Sequence, residues 1–279
     1  MADIALRFDI DTVSCIETGV RELLDMAADF DVPMSFYVNM GRSFNLRNAI
    51  RRFKHPSARS DVPKLSPYAK LGPTHLAKTL LRNPEIGAEN LGMLDRILDA
   101  GHELGLHGCM DHTEWQHFLP RELNDDFRES FDRAYALFSS RFGEPAAFCC
   151  PGFRHNGAAY RLLEEYRFTY TSDTTSLERP GPARLGEDTF GFDQVPVSLI
   201  GPGTVPLIEH CYASGRPITD VTSSIAATLE QTGWGVLYGH PCFEGKRGAN
   251  MLRECLRRLA PGHSFFTVDD VRRRFRTDS

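Results

Sequence analysis

The sequence predicts an α/β protein, a parallel sheet of seven or eight βα units rolled into a closed or nearly closed barrel. Two observations carry this. Apolar runs of strand length alternate with amphipathic stretches of helical period along nearly the whole chain, which is the pattern of a parallel sheet with helices outside it. Five strand ends then carry polar residues suited to hydrolysis: Asp9 with Asp11, His107, Arg154, Asp173 and His240. In such barrels the chemistry sits at the carboxyl ends of the strands. A single strand-end histidine is more often a hydrogen-bonded structural residue, but recurrence around a barrel fits that reading poorly.

The elements follow in order. Ala5–Thr12 is an apolar strand that ends in two carboxylates, and the period of two puts Asp9 and Asp11 on one side. Leu23, Leu24, Met26, Ala27 and Phe30 recur at helical spacing up to Val32-Pro33. Met34–Met40 is the second strand, closing a βαβ unit. The alternation then breaks. Arg42 to Arg82 carries ten lysines and arginines against one acid, Asp61, with four prolines and many leucines and aromatics. This basic insertion, taken as about 42–88, reads as short helices joined by proline turns and as a surface for an anionic partner: a phosphate-bearing substrate or a membrane face. A solvated lid packed on the body is the plainer reading.

Alternation resumes with a helix from Glu89, a strand His102–Gly108, a polar loop Cys109–Trp115 and a helix Pro120–Phe142. Strand Ala146–Pro151 opens into Gly152-Phe153-Arg154, followed by helix 156–166 and strand 168–173 ending at Asp173. A Pro/Gly-rich loop over 176–193 leads to strand 194–199. Helix 219–232, strand Trp234–His240, helix 247–259, strand 264–268 and a basic terminal helix complete the chain. No repeat or linker divides it, so residues 1–279 read as a single domain.

A chain of 279 residues with 41% hydrophobic and 25% charged residues is of ordinary globular composition. The net charge of −5 argues against general nucleic-acid binding. Seven cysteines without a CxxC pair suit reduced, buried thiols. The start of the first strand leaves no room for a signal peptide, and no apolar run approaches membrane-span length, so a cytoplasmic protein is expected.

Two like charges held close repel, and burial makes this worse, so Asp9 and Asp11 call for a cation between or beside them. One carboxylate with two histidines leaves open positions on a divalent metal, a catalytic rather than a structural arrangement. Asp11 and His107 are its expected ligands. The third is His112, with Asp111 as the open alternative; imidazole is the commoner ligand, and Asp111 could then orient it. Asp9 is left as general base on a water whose pKa the metal lowers, with Arg154 as the guanidinium that keeps it ionised. His240 is the candidate acid for a leaving amine, and Asp173 the group holding its other nitrogen. Together these describe hydrolysis of an amide.

At this point the chain resembles a known family, the polysaccharide deacetylases (NodB-type, carbohydrate esterase family 4), and within it the 4-deoxy-4-formamido-L-arabinose-phosphoundecaprenol deformylases. The resemblance rests on Leu6–Thr12, Glu85-Ile86-Gly87, His102–His107, Asp111–Trp115, Gly152-Phe153-Arg154, Ser172-Asp173, Val195-Pro196-Val197 and His240 with Glu244-Gly245, which run in the family's order. It implies a distorted (β/α)7 barrel, a divalent metal on Asp11, His107 and His112, Asp9 as base and His240 as acid. It places the arginine of the family's third motif on Arg154 and the aspartate of its fourth on Asp173. Arg42 and Glu244 are the expected substrate contacts. The two histidines stand five apart where the family has four, and no Arg-Pro-Pro-Tyr run follows Arg154. The implied substrate is an N-acylated amino sugar, formylated and polyprenyl-phosphate-linked, met at the inner face of a membrane. Deacetylation of a soluble oligosaccharide and a non-catalytic sugar-binding module are the alternatives. Zinc suits the ligand set, and so do cobalt, nickel, manganese and iron.

Overall fold

A computed structural model describes residues 1–44 and 62–276. Arg47, Arg51, Arg52, Lys54, Arg59 and Asp61 of the basic insertion lie outside the described residues.

The barrel is present, and seven parallel strands build it. β1 (Asp3–Ile10) lies at the centre, flanked by β2 (Ser35–Val38) and β8 (Trp234–Gly239). From β2 the sheet continues through β3 (Glu103–His107), β4 (Ala147–Cys149), β5 (Tyr170–Thr171) and β7 (Asp188–Gln194), all parallel. Beyond Gln194 the chain runs on to Leu199, whose amide donates to Val236 O at 3.0 Å and which bridges Leu237 in parallel. The segment after β7 thereby closes the sheet against β8. The closure is one bridge wide, which is the distortion of the barrel.

Alternation along β1 sorts its side chains cleanly. Ile4, Leu6, Phe8 and Ile10 face outward into the layer between sheet and helices. Ala5 belongs to a second apolar cluster inside the barrel, with Tyr37, Cys149, Tyr170, Val197, Val236 and Tyr238. Arg7 and Asp9 share that inward register. The amino-terminal end of the barrel is plugged by the terminal helix Val268–Arg276 through Val268 and Val271, and β9 (Ser264–Phe266) pairs with the start of β1.

Three expectations need correction. The Pro/Gly-rich stretch is no mere loop: β6 (Gly181–Leu185) and β7 form an antiparallel hairpin turning at Gly186, φ 62°. The residues around His112 are helical over His112–Phe118, with the Asp111 side chain accepting from the Thr113 amide as N-cap. The long helix begins at Asp125, capped by Asn124, rather than at Pro120. An additional helix, Leu207–Ala213, lies where no element was expected. Within the insertion, helix Pro67–Leu81 is kinked where Gly72 takes φ 75° ahead of Pro73.

Candidate active site

The site forms at the carboxyl ends of β1, β3 and β8. Two close approaches bring the turns after β1 and β8 together. A Cβ on Gly19 would lie 2.0 Å from Pro241 O, and one on Gly245 would lie 2.2 Å from Gly19 O, so glycine is required at both. This packing sets His240 Nε2 3.2 Å from Asp11 Oδ2. After β3 the chain turns at Gly108, φ 76°, and is pinned to the start of the insertion: the Arg42 amide donates to Met110 O (2.8 Å) and the His112 amide donates to Arg42 O (3.1 Å). Asn39 fixes that turn, donating to Arg42 O and accepting from the Gly41 amide. The backbone of Arg42 thus places His112, while its side chain is exposed.

Asp11, His107 and His112 converge, with one ligand atom of each within 4.8 Å of the others. Asp11 Oδ1 lies 3.1 Å from His107 Nε2 and 3.5 Å from His112 Nε2. The Nδ1 of His107 is 2.7 Å from Cys149 O and must donate to that carbonyl, which leaves the lone pair of Nε2 facing the cluster. Asp11 Oδ1 and His112 Nε2 are buried without a hydrogen-bond partner. Buried acceptors left bare are costly unless something binds there. Burial lowers the basicity of His112, which favours the neutral form that ligates. Burial disfavours the charge on Asp11, but His112 and His240 outweigh it and hold its pKa well below the usual carboxylate range. One carboxylate and two imidazoles with bare lone pairs fit a divalent cation. Asp111, committed to its helix cap, lies outside this set of ligand atoms.

Asp9 sits one step deeper. Its partner is Arg7, not Arg154: Arg7 Nε and Nη2 reach the two Asp9 oxygens at 3.0 and 2.7 Å, a bidentate fork. Arg7 is fully buried, lies 5.1–5.4 Å from the ring centres of Tyr37, Phe153 and Tyr238, and also donates to Ser172 O. Arg154 is exposed, and its carbonyl accepts from Trp115 Nε1. The misplacement has a physical origin. Arg7 and Asp9 are i and i+2 on one strand and must point the same way, whereas Arg154 follows a turn whose Gly152 (φ 63°) and Phe153 (φ 59°) swing its side chain outward.

His240 is not held by Asp173. Its Nε2 is 2.9 Å from Tyr238 Oη, and its Nδ1 is buried without a partner. Burial disfavours its cation, but Asp11 outweighs that and raises its pKa to about 9. Asp173 instead accepts from the Cys150 amide at 2.6 Å, stabilising the turn that presents Phe153 to Arg7. Glu244 is buried, with one oxygen accepting from the His240 amide at 2.7 Å, so it fixes the His240 backbone.

A cavity of about 200 Å³ opens onto this cluster, lined by Asp11, His107, Tyr238 and His240 together with Lys64, Lys70 and Glu209. Arg7, Tyr238 and Glu209 were not singled out from the sequence. Arg7 had a legible signal, as the one cation in an otherwise apolar buried strand. Glu209 had none, since its partners lie in the insertion.

No protein-family model matches the chain. It is 30% identical over 176 residues to a protein of Shewanella sediminis (strain HAW-EB3) named as a probable 4-deoxy-4-formamido-L-arabinose-phosphoundecaprenol deformylase, ArnD; the match covers 61% of this chain and spans 56% of the length of that relative. Two solved structures share the architecture. One, from Mycobacterium smegmatis and assigned as a polysaccharide deacetylase, superposes with a TM-score of 0.65 at 18% identity, covering 99% of this chain and 90% of the other. The second, from Pseudomonas aeruginosa PAO1 and assigned likewise, gives a TM-score of 0.64 at 12% identity, covering 99% and 91%. The chain thus has the fold of the polysaccharide deacetylases and is related in sequence to an ArnD-type deformylase.

Proposed function

We propose that this protein is a metal-dependent amide hydrolase that removes an N-acyl group, formyl by preference, from an amino sugar carried on a polyprenyl phosphate. The observation that carries the reading is the convergence of Asp11, His107 and His112, with Asp11 Oδ1 and His112 Nε2 left bare, beside Asp9 and His240 at a cavity. The relation in sequence to a deformylase supports the choice of formyl over acetyl.

A divalent cation on these three residues, zinc in our reading, would act as Lewis acid and lower the pKa of a water towards about 7. Asp9 is the general base in this reading, and the Arg7 fork keeps one carboxylate geometry in place as the proton is taken. His240, held protonated beside Asp11, lines the cavity, where it can give its proton to the departing amine. Tyr238 Oη holds the ring in that pose. The buried walls around Arg7 keep bulk water from the base.

The insertion supports a lipid-linked substrate. Besides its basic composition, helix Pro67–Leu81 exposes Tyr68, Leu80 and Leu81. Exposed apolar side chains beside basic residues suit the anionic inner face of a membrane. Among the described residues no helix is long and apolar enough to cross one.

The test is product identity. The protein, stripped of metal and reconstituted with zinc, is given the N-formyl and N-acetyl forms of one amino sugar, each as a prenyl phosphodiester, and formate and acetate are measured. Formate release that a chelator abolishes is the expected result. Acetate alone moves the reading to a deacetylase, and release of neither acid by any reconstituted form refutes it.

A further inference from the structure

The buried carboxylate of Glu209 has no role in the chemistry above, yet it is fully buried at the edge of the cavity. It lies on helix Leu207–Ala213 and lines the same cavity as Asp11, His107 and His240. One oxygen accepts from the Leu65 amide at 3.1 Å, and the other pairs with Lys70 Nζ at 2.6 Å. The neighbouring His210 Nδ1 is 3.3 Å from Pro63 O, and Lys246 Nζ donates to Leu71 O at 3.1 Å. Residues 63–71 of the insertion are therefore fastened to the barrel at four points, two of them on a single carboxylate. A carboxylate is a poor choice for a purely structural anchor there. Burying a charge costs several kcal/mol, and well-packed apolar residues commonly do as well or better.

The fastening has a consequence for the cavity. It delivers two ammonium groups, Lys64 and Lys70, to the wall, where Glu209 offsets one of them. Lys70 retains partial exposure, 22% of its side chain, and lies close enough to His240 to act on its charge. Lys64 and Lys70 against Glu209 therefore leave this part of the cavity lining with a net positive charge on multi-donor groups. Ammonium groups are point-charge ligands for phosphate oxygens.

We propose that Lys64 and Lys70 form an anion subsite that selects substrates bearing a phosphate ester next to the acylated sugar, and that Glu209 is the positioning residue that seats them. This rests on the amide-hydrolase reading and names a specificity element within it. The source of the phosphate, a free sugar phosphate or the headgroup of a lipid carrier, is a matter of what the phosphate is esterified to. The recognising chemistry is the same.

The experiment compares three N-formyl amino sugars on the metal-loaded protein: the free sugar, its 1-phosphate and its methyl phosphodiester. The proposal expects kcat/KM for the two phosphorylated sugars to exceed that for the free sugar by 10-fold or more, with the difference in KM. It expects Lys70→Ala and Lys64→Ala each to collapse that ratio by about 10-fold, the size of one charge-assisted contact. Lys70→Arg should restore most of it, and inorganic phosphate should compete against the phosphorylated sugars. Glu209→Gln, which keeps an acceptor for Leu65 and frees Lys70, should raise KM for the phosphorylated sugars without a matching loss of kcat. A preference for the methyl diester over the 1-phosphate points to a lipid-carrier headgroup, and the reverse to a soluble sugar phosphate. Equal kcat/KM for free and phosphorylated sugars in the wild type overturns the proposal and leaves the hydrolase reading intact, as does an unchanged ratio in Lys70→Ala. Should no sugar be hydrolysed, calorimetric binding of the same three compounds decides. Tighter binding of the phosphorylated pair that Lys70→Ala abolishes keeps the subsite while the hydrolase reading fails, and equal binding overturns it.

Discussion

Arg7→Met is the substitution whose cost can be worked furthest from the structure. Methionine keeps much of the buried stem volume and removes the guanidinium. Asp9, 2% exposed, then loses both halves of the fork, and its charge stays buried with no cation bound to it. Removing one partner of a buried pair costs about 3–5 kcal/mol, because the other charge is left uncompensated. The rings of Tyr37, Phe153 and Tyr238 around the guanidinium add contacts at about 0.5–1 kcal/mol each, part of which the thioether recovers. We therefore expect a loss of about 3–5 kcal/mol. Urea unfolding of the metal-stripped protein measures it, followed by fluorescence of the buried Trp115 and Trp234. If the uncompensated carboxylate is the cause, the loss in Arg7→Met with Asp9→Asn should fall short of the sum of the two single losses by about 1–3 kcal/mol, the coupling typical of direct contacts. A single-variant loss below about 1 kcal/mol, or strictly additive effects in the double variant, would refute the reasoning.

Other expectations follow from the same geometry. Asp9→Asn should bind metal as the wild type does and lose about 10²–10⁴-fold in kcat, the range for a general base; wild-type turnover would remove Asp9 from that role. Asp111→Ala should lose about 1 kcal/mol in unfolding measurements through the lost helix cap while keeping its metal. Glu244 should give the folded protein a distinct pH dependence. Burial pushes its pKa up to about 7, so between the unfolded value and pH 7 the folded state holds a proton that the unfolded chain has released. Its contribution is therefore fully present below the unfolded pKa and is lost as pH rises towards about 7, with a slope of at most about 1.4 kcal/mol per pH unit. Glu244→Gln should flatten that decline in stability curves recorded from pH 5 to 8, and an unchanged slope would place the titration elsewhere. Tyr68, Leu80 and Leu81 exchanged together for serine should weaken sedimentation with anionic vesicles at least several-fold if this helix enters the interface.

Much of this was legible because period and composition are local. The shared register of Arg7 and Asp9 and that of Ile4, Leu6, Phe8 and Ile10 follow from alternation alone, and six of the seven parallel strands, all but β7, follow from the repeated strand–helix pattern. What alternation cannot give is partnership across the barrel. Asp9 needs a guanidinium, and the sequence offers several; the choice of Arg7 over Arg154 depends on backbone turns at 152–153 that no periodicity reports. Asp173 supports Cys150, and Glu244 supports the His240 backbone. Both carboxylates sit near the chemistry and brace the turns that carry it. The β6–β7 hairpin hid behind its prolines and glycines, although Phe190 and Phe192 alternate with exposed neighbours. Glu209 joins segments 139 and 144 residues apart from it in sequence, Lys70 and Leu65, and only the closed fold brings them together.

The central claim is that Asp11, His107 and His112 hold a catalytic metal, and metal content tests it most directly. The protein is stripped with chelator, reconstituted separately with zinc, cobalt, nickel, manganese and iron, desalted and subjected to elemental analysis, beside Asp11→Ala, His112→Ala and Asp111→Ala. The account predicts about one ion per wild-type chain with at least one of these metals, retained in Asp111→Ala and lost in Asp11→Ala and His112→Ala. A full equivalent retained in His112→Ala, or no metal bound by the wild type under any of the five conditions, would contradict it.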